Sequence, residues 1–350
     1  MIKLSQAHVL GTIIAYLLGI FIVPLVIYYS KKKNLIDVPN ERKIHHGAIS
    51  RLGGVAIWIS VMLTFVFLVF LSYYPKGQGL SAIIVGGSLM FLMGLIDDVY
   101  GLNAKFKLFI QIAIATIVIL LGVRIEELYN PISSSCVSLG YLSYPITLLW
   151  IVGITNAINF IDGVDGLAGS IVSISALAIG LVSLVLAPSV PITALIAFIL
   201  MGAMCSFLTF NYNPAKIFMG DSGALYAGFL LATLSITGIV KPSSNYSMYL
   251  PILILAVPLM DVAFSSTRRM LKGSSPFVAD AEHIHHKLLH AGYSQDKLVL
   301  LLASFSMVCA LLSIFAVTTK SKFIITALCL IAVLIVLNTV SKLIKKKDSE

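Results

Sequence analysis

The sequence predicts an all-α, polytopic membrane protein with about eleven transmembrane helices, and three observations carry this prediction. Of the 350 residues, 59% are hydrophobic and only 11% are charged, with a mean hydropathy of +1.00. A soluble domain needs far more charge to cover its surface. Apolar runs of about twenty residues recur along the chain, and that length crosses roughly 30 Å of hydrocarbon. Polar residues gather in short segments between these runs.

Eleven apolar runs follow one another without a long linker or an internal repeat, so we expect one domain over residues 1–350. The N-terminal run shows no small-residue cleavage site, which indicates a first span rather than a removable signal. Four cysteines are too few and too scattered for a disulfide framework. The predicted spans are 8–29, 53–72, 80–96, 108–123, 144–160, 166–187, 191–210, 222–240, 249–267, 298–318 and 323–340.

The basic residues predict which side of the membrane each loop faces. Eighteen of the 24 lysines and arginines lie on one side of the predicted bundle, as do thirteen of the 15 acidic residues. Because lysine and arginine mark cytoplasmic loops, we expect the N-terminus outside, the C-terminus inside and the chemistry at the cytoplasmic surface. The net charge of +9 indicates contact with anionic lipids of the bilayer, and no nucleic acid partner is expected. The loops on this side are 30–52, 97–107, 161–165, 211–221 and 268–297, followed by the tail from residue 341.

The segment NAINFIDGVDGLAG sets two amides and two carboxylates at three-residue spacings, at Asn156, Asn159, Asp162 and Asp165. The two asparagines fall on one face of the last turn of a span. The loop after them is too short to leave the membrane surface, so the polar groups are expected to face a protein-lined cavity. Gly163 is expected to be the C-cap of the first helix. Asparagine and aspartate oxygens suit Mg²⁺, although these residues would also serve as caps of two helices.

A pair of adjacent carboxylates, Asp97 and Asp98, ends another predicted span. Such carboxylates repel each other unless a cation or a proton lies between them. Lys105 and Lys107 follow at the start of the next helix, so a hairpin would bring carboxylates beside cations that bind phosphate. The alternative is a solvated turn closed by a salt bridge, in which Asp98 in particular is solvated.

Another span opens with Met219-Gly220-Asp221-Ser222. Asp221 is either an ordinary N-cap or part of a helix start that attracts phosphate on the same face as Asn159. Phe218 is placed either to stack on a flat ring or to lie in an aromatic belt at the membrane interface.

The last long loop carries imidazole and guanidinium groups, at His283, His285, His286, Arg268 and Arg269. A zinc site is disfavoured because no cysteine accompanies the histidines and Glu282 is the only adjacent carboxylate in the sequence. Donors to phosphate or sugar fit the pattern better. The whole inventory indicates Mg²⁺, a diphosphate and a ring-bearing leaving group, which is the combination for phosphoryl transfer from a nucleotide-activated donor.

Three segments, DDVYGLNAKFK, NAINFIDGVDGLAG and IFMGDSG, together resemble the polyprenyl-phosphate N-acetylhexosamine-1-phosphate transferases, the superfamily that includes the MraY, WecA and TagO enzymes. The resemblance runs from Asp37 to about Tyr293. It implies that a lipid phosphate, undecaprenyl phosphate in bacteria, attacks the β-phosphate of a UDP-amino sugar. UMP then leaves and a lipid-linked sugar diphosphate forms.

The resemblance also implies roles for the residues that match its motifs. Asp221 and Asn159 would be ligands of Mg²⁺, for which Mn²⁺ is a substitute. Asp97 would act on the lipid phosphate, as its base or as a positioning group, with Asp98 beside it. Lys107 would hold phosphate as the third member of the catalytic set.

The same resemblance places the nucleotide and the sugar. Asp165 and Phe218 would recognise uracil, by a hydrogen bond and by stacking. The segments AEHIHHKLL and RKIHHGAISRLGG resemble the branch that uses UDP-GlcNAc, rather than the branch that uses UDP-MurNAc-pentapeptide. The remaining substrate-binding candidates are Asp162, Asn156, Lys105, Arg268, Arg269, His283, His285 and His286.

Finer expectations and alternatives remain at this point. The lysine-rich tail is compatible with the enzymes that initiate wall teichoic acid, and nucleoside antibiotics of the tunicamycin type are expected to compete for the uridine site. A secondary transporter of an anionic metabolite would also have intramembrane polar residues. Against it, the ionisable residues lie at one face and no inverted repeat is visible. The sequence leaves the oligomeric state open, with a homodimer as one option.

Overall fold

The chain is helical apart from two short antiparallel ribbons, which confirms the all-α prediction for the part of the chain that the structure describes. In the first ribbon, β1 (Ile36–Asp37) pairs with β2 (Ile49–Ser50). In the second, β3 (Glu127–Asn130) pairs with β4 (Ser135–Ser138). The computed structural model describes residues 5–33, 35–37, 49–71, 79–130, 135–186, 191–240, 248–271 and 284–319. The helices are α1 (Gln6–Lys32), α2 (Gly53–Phe70), α3 (Leu80–Tyr100), α4 (Ala104–Leu120), α5 (Ser143–Ile161), α6 (Leu167–Leu186), α7 (Pro191–Asn211), α8 (Gly220–Gly238), α9 (Tyr249–Ile254), α10 (Ala256–Leu271), α11 (Ile284–His290) and α12 (Gln295–Thr319).

Seven of the described helices are long and apolar enough to cross a membrane, namely α1, α2, α3, α5, α6, α7 and α12. The chain is therefore a multi-pass membrane protein. Three further predicted spans fall on α4, on α8 and on the pair α9 and α10. The predicted span at 323–340 lies outside the described residues, and the count of eleven and the sidedness stay predictions.

The central helix of the bundle is α8, which packs against α2, α3, α5, α6 and α7. Every residue from Ser222 to Ile236 is buried. Neighbouring helices surround α8 in place of lipid, so its composition can be less apolar than that of a lipid-facing span. A Cβ atom on Gly228 would lie 2.9 Å from the Cα atom of Thr155, so α5 and α8 approach each other backbone to backbone.

The predicted span at 249–267 is broken at Leu255, between α9 and α10. Pro258 gives the physical reason, because proline has no N–H to donate to the carbonyl of Ile254 and its ring clashes with that carbonyl. The predicted loop at 97–107 is also shorter than expected. Because α3 continues to Tyr100, Asp97 and Asp98 lie on its last turn rather than in a loop.

The alternating direction of the helices brings several helix ends together at one end of the bundle. The amides of Gly53 and Gly54, at the start of α2, donate to the carbonyls of Phe218 and Met219 at 3.0 and 2.8 Å. A Cβ atom on Gly54 would lie 2.2 Å from the amide nitrogen of Gly223, so only glycine fits there. The starts of α2 and α8 are therefore in direct contact.

Candidate active site

The Lys107 ammonium group joins three helix ends. Its Nζ lies 2.7 Å from Oδ2 of Asp97, on the last turn of α3, and also donates to Oδ2 of Asp221, on the first turn of α8. The other oxygen of Asp97 accepts from the backbone amide of Leu102 at 2.6 Å, which closes the turn between α3 and α4. The cation expected between Asp97 and Asp98 thus lies instead between Asp97 and Asp221, on two different helices.

The two predicted metal ligands lie side by side. Asn159, on the last turn of α5, donates its side-chain amide to Oδ1 of Asp221 at 2.9 Å. Asp221 is not the N-cap of α8, because the helix begins at Gly220 and the N-cap position is Met219. The N-cap alternative for Asp221 is therefore wrong, and its carboxylate is turned toward α4 and α5.

Asp98 is bound to the start of α8, which makes the solvated alternative for this residue wrong. Its Oδ1 accepts from the amide of Asp221 at 2.8 Å. Its Oδ2 accepts from the amide and the hydroxyl of Ser222 at 2.9 and 2.6 Å. Adjacent carboxylates on α3 thus face different partners, Asp97 toward Lys107 and Asp98 toward the backbone of α8.

Asn156 lies on the predicted face of α5 but is paired with a residue that the sequence did not single out. Its side-chain amide donates to Oε1 of Gln111 at 2.6 Å and to the carbonyl of Val152 at 2.8 Å. Gln111 is buried in α4, four residues after Lys107. The sequence did offer a signal for Gln111: it is a polar residue inside an apolar run, and it lies four residues after Lys107, on the same helix face.

The turn between α5 and α6 carries Asp162 at the C-cap position of α5, so the expectation that Gly163 is the C-cap is wrong. The left-handed glycine of this turn is Gly166, at φ +77°. Burial, together with the negative charges of Asp221, Asp98 and Asp165, raises the pKa of Asp162 well above its usual range.

This turn is tied to the loop that carries Phe218. Oδ2 of Asp165 accepts from the amide of Ala215 at 3.0 Å. Asn211, a second residue that sequence reasoning missed, accepts from the amide of Gly166 at 3.0 Å and donates to the carbonyl of Ile217 at 2.8 Å. The segments that carry Asp165 and Phe218 are therefore joined by hydrogen bonds. A binding site that uses both residues requires such proximity.

Of the other candidates, Lys105 lies on α4, Arg268 and Arg269 lie on α10, and His285 and His286 lie on α11. Lys105 is exposed, while Arg268 and Arg269 are partly buried on the last turn of α10. His283 and the side chains of His285 and His286 lie outside the described part of the molecule. The substrate contacts of all six, and those of Asp162, stay predictions.

A buried carboxylate on α10 was missed by sequence reasoning. Asp261 accepts from the amide of Ile284, the first residue of α11, at 2.6 Å. It therefore ties the short helix that carries His285 and His286 to α10. The signal in the sequence was a single aspartate inside an apolar run. A carboxylate inside a membrane is costly, so it is usually paired or functional.

Comparison with known proteins identifies the family. The model of glycosyl transferase family 4 matches residues 80–239, from the start of α3 to the end of α8. A Bacillus subtilis protein named a probable undecaprenyl-phosphate N-acetylglucosaminyl 1-phosphate transferase is 35% identical over 328 residues, which cover 94% of this chain and 89% of the relative. The chain belongs to glycosyl transferase family 4.

Two further relatives are similar over most of their length. The decaprenyl-phosphate N-acetylglucosaminephosphotransferase of Mycobacterium leprae is 30% identical over 86% of this chain and 80% of the relative. The undecaprenyl-phosphate alpha-N-acetylglucosaminyl 1-phosphate transferase of Escherichia coli K12 is 28% identical over 82% of this chain and 78% of the relative. The family resemblance seen in the sequence motifs is thus confirmed. The matched region contains Asp97, Asp98, Lys107, Asn159 and Asp221.

Proposed function

We propose that the protein transfers N-acetylglucosamine 1-phosphate from UDP-GlcNAc to undecaprenyl phosphate, and that it forms undecaprenyl-diphospho-GlcNAc and UMP. The names of three relatives, which describe transfer of this group to a polyprenyl phosphate, support the reaction. The observation that carries the proposal is the Lys107 ammonium group held between Asp97 and Asp221 at the meeting point of three helix ends.

The reaction is a displacement at phosphorus. An oxygen of the lipid phosphate forms a bond to the β-phosphorus of UDP-GlcNAc, and the bond from that phosphorus to the bridging oxygen breaks. UMP leaves with the electron pair. A phosphate monoester has a second pKa of about 6, so the lipid phosphate enters mostly as a dianion at neutral pH and no proton has to be removed.

The protein contributes charge and position to this displacement. We assign Lys107 to the negative charge that develops on the diphosphate, because its ammonium group is fixed by two carboxylates and needs little reorganisation. Asp97 would orient Lys107 and the lipid headgroup, since its carboxylate contacts both the ammonium group and the turn before α4.

We propose that the oxygen atoms of this cluster bind a divalent cation. Among the described residues no group of three or more histidine, cysteine, aspartate or glutamate side chains could hold a metal, so the proposed pair combines a carboxylate with an amide. Asp221 and Asn159 would supply such hard oxygens. We propose Mg²⁺, with Mn²⁺ as a substitute, held by Asp221 and Asn159. When bound, it would neutralise charge on the diphosphate.

The uridine would lie against the loop that precedes α8. Oδ2 of Asp165 accepts from the amide of Ala215, three residues before Phe218, so the two residues lie on segments that are hydrogen-bonded to each other. This arrangement supports recognition of uracil by a hydrogen bond and by stacking. Competition by a tunicamycin-type nucleoside would be a direct consequence.

The cluster is proposed to face the cytoplasm, because the segments that the sequence assigns to this side, including the tail from residue 341, hold eighteen of the 24 basic residues. UDP-GlcNAc is a charged, water-soluble nucleotide sugar, so it would reach the cluster from the aqueous side of this face. We propose initiation of wall teichoic acid as the use of the product, supported by the lysine-rich tail.

UMP release from purified protein tests the proposal. The assay contains detergent, undecaprenyl phosphate and Mg²⁺, and it offers UDP-GlcNAc and UDP-MurNAc-pentapeptide separately. We expect release with UDP-GlcNAc alone, and we expect EDTA or Asp221→Ala to abolish it. Glu126→Ala, which removes an exposed carboxylate remote from the cluster, is the matched control and should retain activity.

The other outcomes are equally informative. Release with the pentapeptide donor alone would overturn the choice of sugar and assign the protein to peptidoglycan precursor synthesis. Absence of release with either donor, from protein with an intact thermal transition, would overturn the transferase proposal and favour the transporter.

A further inference from the structure

Asp98 binds the first turn of α8 with both of its oxygens, whereas the adjacent Asp97 binds Lys107. The amides of Asp221 and Ser222 are among the first-turn N–H groups that a helix leaves without a partner. Met219, at the N-cap position, has an apolar side chain and makes no side-chain cap bond. Asp98 supplies the cap from another helix, and the Ser222 hydroxyl completes it.

Two glycines allow this contact. A Cβ atom on Gly94, one turn before Asp98 on α3, would lie 2.6 Å from the carbonyl oxygen of Asp221. Gly220 has φ +70°, and a Cβ atom there would lie 2.2 Å from the carbonyl oxygen of Arg51 and 2.7 Å from Oδ2 of Asp98. The backbones of α3 and α8 therefore meet with no space for a side chain, and the position of Asp221 relative to α3 is fixed.

We propose that Asp98 is a positioning residue that acts through Asp221, and that the Ser222 hydroxyl shares this role. Asp98 then neither contacts the substrate nor moves a proton, whereas Asp97 on the same turn is assigned to Lys107 and the lipid headgroup. The inference rests on the proposed function only in taking Asp221 as a residue of the reacting site. The three hydrogen bonds themselves are independent of that assignment.

Hydrogen exchange at single amides, measured by mass spectrometry on the full chain in detergent, tests the contact without an activity assay. Asp98→Asn replaces one carboxylate oxygen by a donor, so exchange at the amides of Asp221 and Ser222 should accelerate at least about tenfold. Ser222→Ala should accelerate the same amides about twofold to fivefold. Ser313→Ala, which removes a buried hydroxyl bonded to its own helix, is the matched control.

UMP release by the same variants tests the function of the contact. We expect Asp98→Asn to lower the rate by about 10²-fold, as a small displacement of a catalytic group does. The loss should be equal at pH 6.5 and pH 9, because Asp98 transfers no proton. The rate of the double variant, which carries both Asp98→Asn and Ser222→Ala, should be within about twofold of the rate of Asp98→Asn alone, since both residues belong to one contact.

The results separate the two ideas. Unchanged exchange at the two amides, combined with abolished UMP release, would overturn the positioning role and place Asp98 on the substrate. A loss that depends on pH would also overturn it. If the unaltered protein releases no UMP, the proposed function fails, while accelerated exchange in Asp98→Asn and Ser222→Ala would still support the contact.

Discussion

Gln111 on α4 and Asn156 on α5 exchange two side-chain hydrogen bonds, one at 2.6 Å and one at 3.3 Å. Gln111 follows Lys107 by four residues and Asn156 precedes Asn159 by three, so the pair lies one helical turn deeper than the contacts to Asp221. An amide pair in which each side chain satisfies the other fixes the spacing of the helices that carry it. The pair therefore fixes α4 against α5 one turn away from the active-site cluster.

Loss of this pair should reduce stability. Gln111→Ala leaves the half-buried side chain of Asn156 without two of its hydrogen bonds, which should lower the free energy of unfolding by about 1–3 kcal/mol. The measurement is the thermal unfolding midpoint in detergent. Thr116→Ala, an exposed change on the same helix, should leave the midpoint unchanged. An unaltered midpoint in Gln111→Ala would show that the pair is not stabilising.

The same pair tests the predicted substrate contact of Asn156. If Asn156 only holds α5 against α4, Asn156→Ala should lower kcat while the KM for UDP-GlcNAc stays within about twofold. Gln111→Ala should then give the same kinetic pattern. A rise in KM for Asn156→Ala alone would instead support the substrate contact predicted from the sequence.

Two lysines two residues apart should differ sharply in importance. Lys107→Met removes the ammonium group that joins Asp97 and Asp221, and it should lower UMP release by about 10²–10³-fold, the usual effect of losing one donor to developing charge. Lys105→Met removes an exposed ammonium group from the same helix turn and should stay within about threefold. Equal losses in the two variants would contradict the assigned role of Lys107.

The pH dependence of Asp97→Asn separates a base from a positioning group. Because the lipid phosphate loses its second proton at a pKa of about 6, a general base matters less as the pH rises above that value. We therefore expect partial activity in Asp97→Asn that recovers between pH 6 and pH 8. Asp221→Asn should stay low throughout and serves as the comparison. Flat, near-zero activity of Asp97→Asn across this range would refute the positioning account.

The raised pKa of Asp162 should make the stability of the fold depend on pH. Burial and neighbouring carboxylates raise the pKa of Asp162 above its ordinary value, so the folded chain binds this proton more tightly than the unfolded chain does. Folding is then opposed as the pH rises above about 4, where the unfolded chain gives up the proton. Asp162→Asn removes this penalty. Its unfolding midpoint in EDTA should exceed that of the unaltered protein at pH 8, and the two should converge below pH 4.

Glu126→Gln is the comparison for this stability effect. It removes a carboxylate at a distance from the cluster and breaks an ion pair with Arg124, so it should not gain stability at pH 8. A lower midpoint of Asp162→Asn at pH 8 would mean that the ionised carboxylate stabilises the fold, against the direction derived from its surroundings.

Composition and local pattern were enough to establish the class of the protein and most of the residues in the cluster. A membrane span must satisfy its backbone groups within a helix or a closed barrel, and continuous apolar runs of about twenty residues have the length of helices, so the helical class follows from the length of the runs. Polar residues at helix ends are conspicuous in such a chain. For this reason the amino-acid pattern alone selected Asp97, Lys107, Asn159 and Asp221, and the motifs around them indicated the family that the comparison confirmed.

The contacts among these groups depend on how the helices pack in three dimensions. Local spacing fixes the face of one helix, but it carries no information about contacts between helices that are distant in sequence. The different partners of Asp97 and Asp98 depend on where α8 begins relative to α3, and the partner of Asn156 depends on how α4 packs on α5. The break at Leu255 could be read from Pro258, whereas the contact of Asp261 with Ile284 required the chain to fold back on itself.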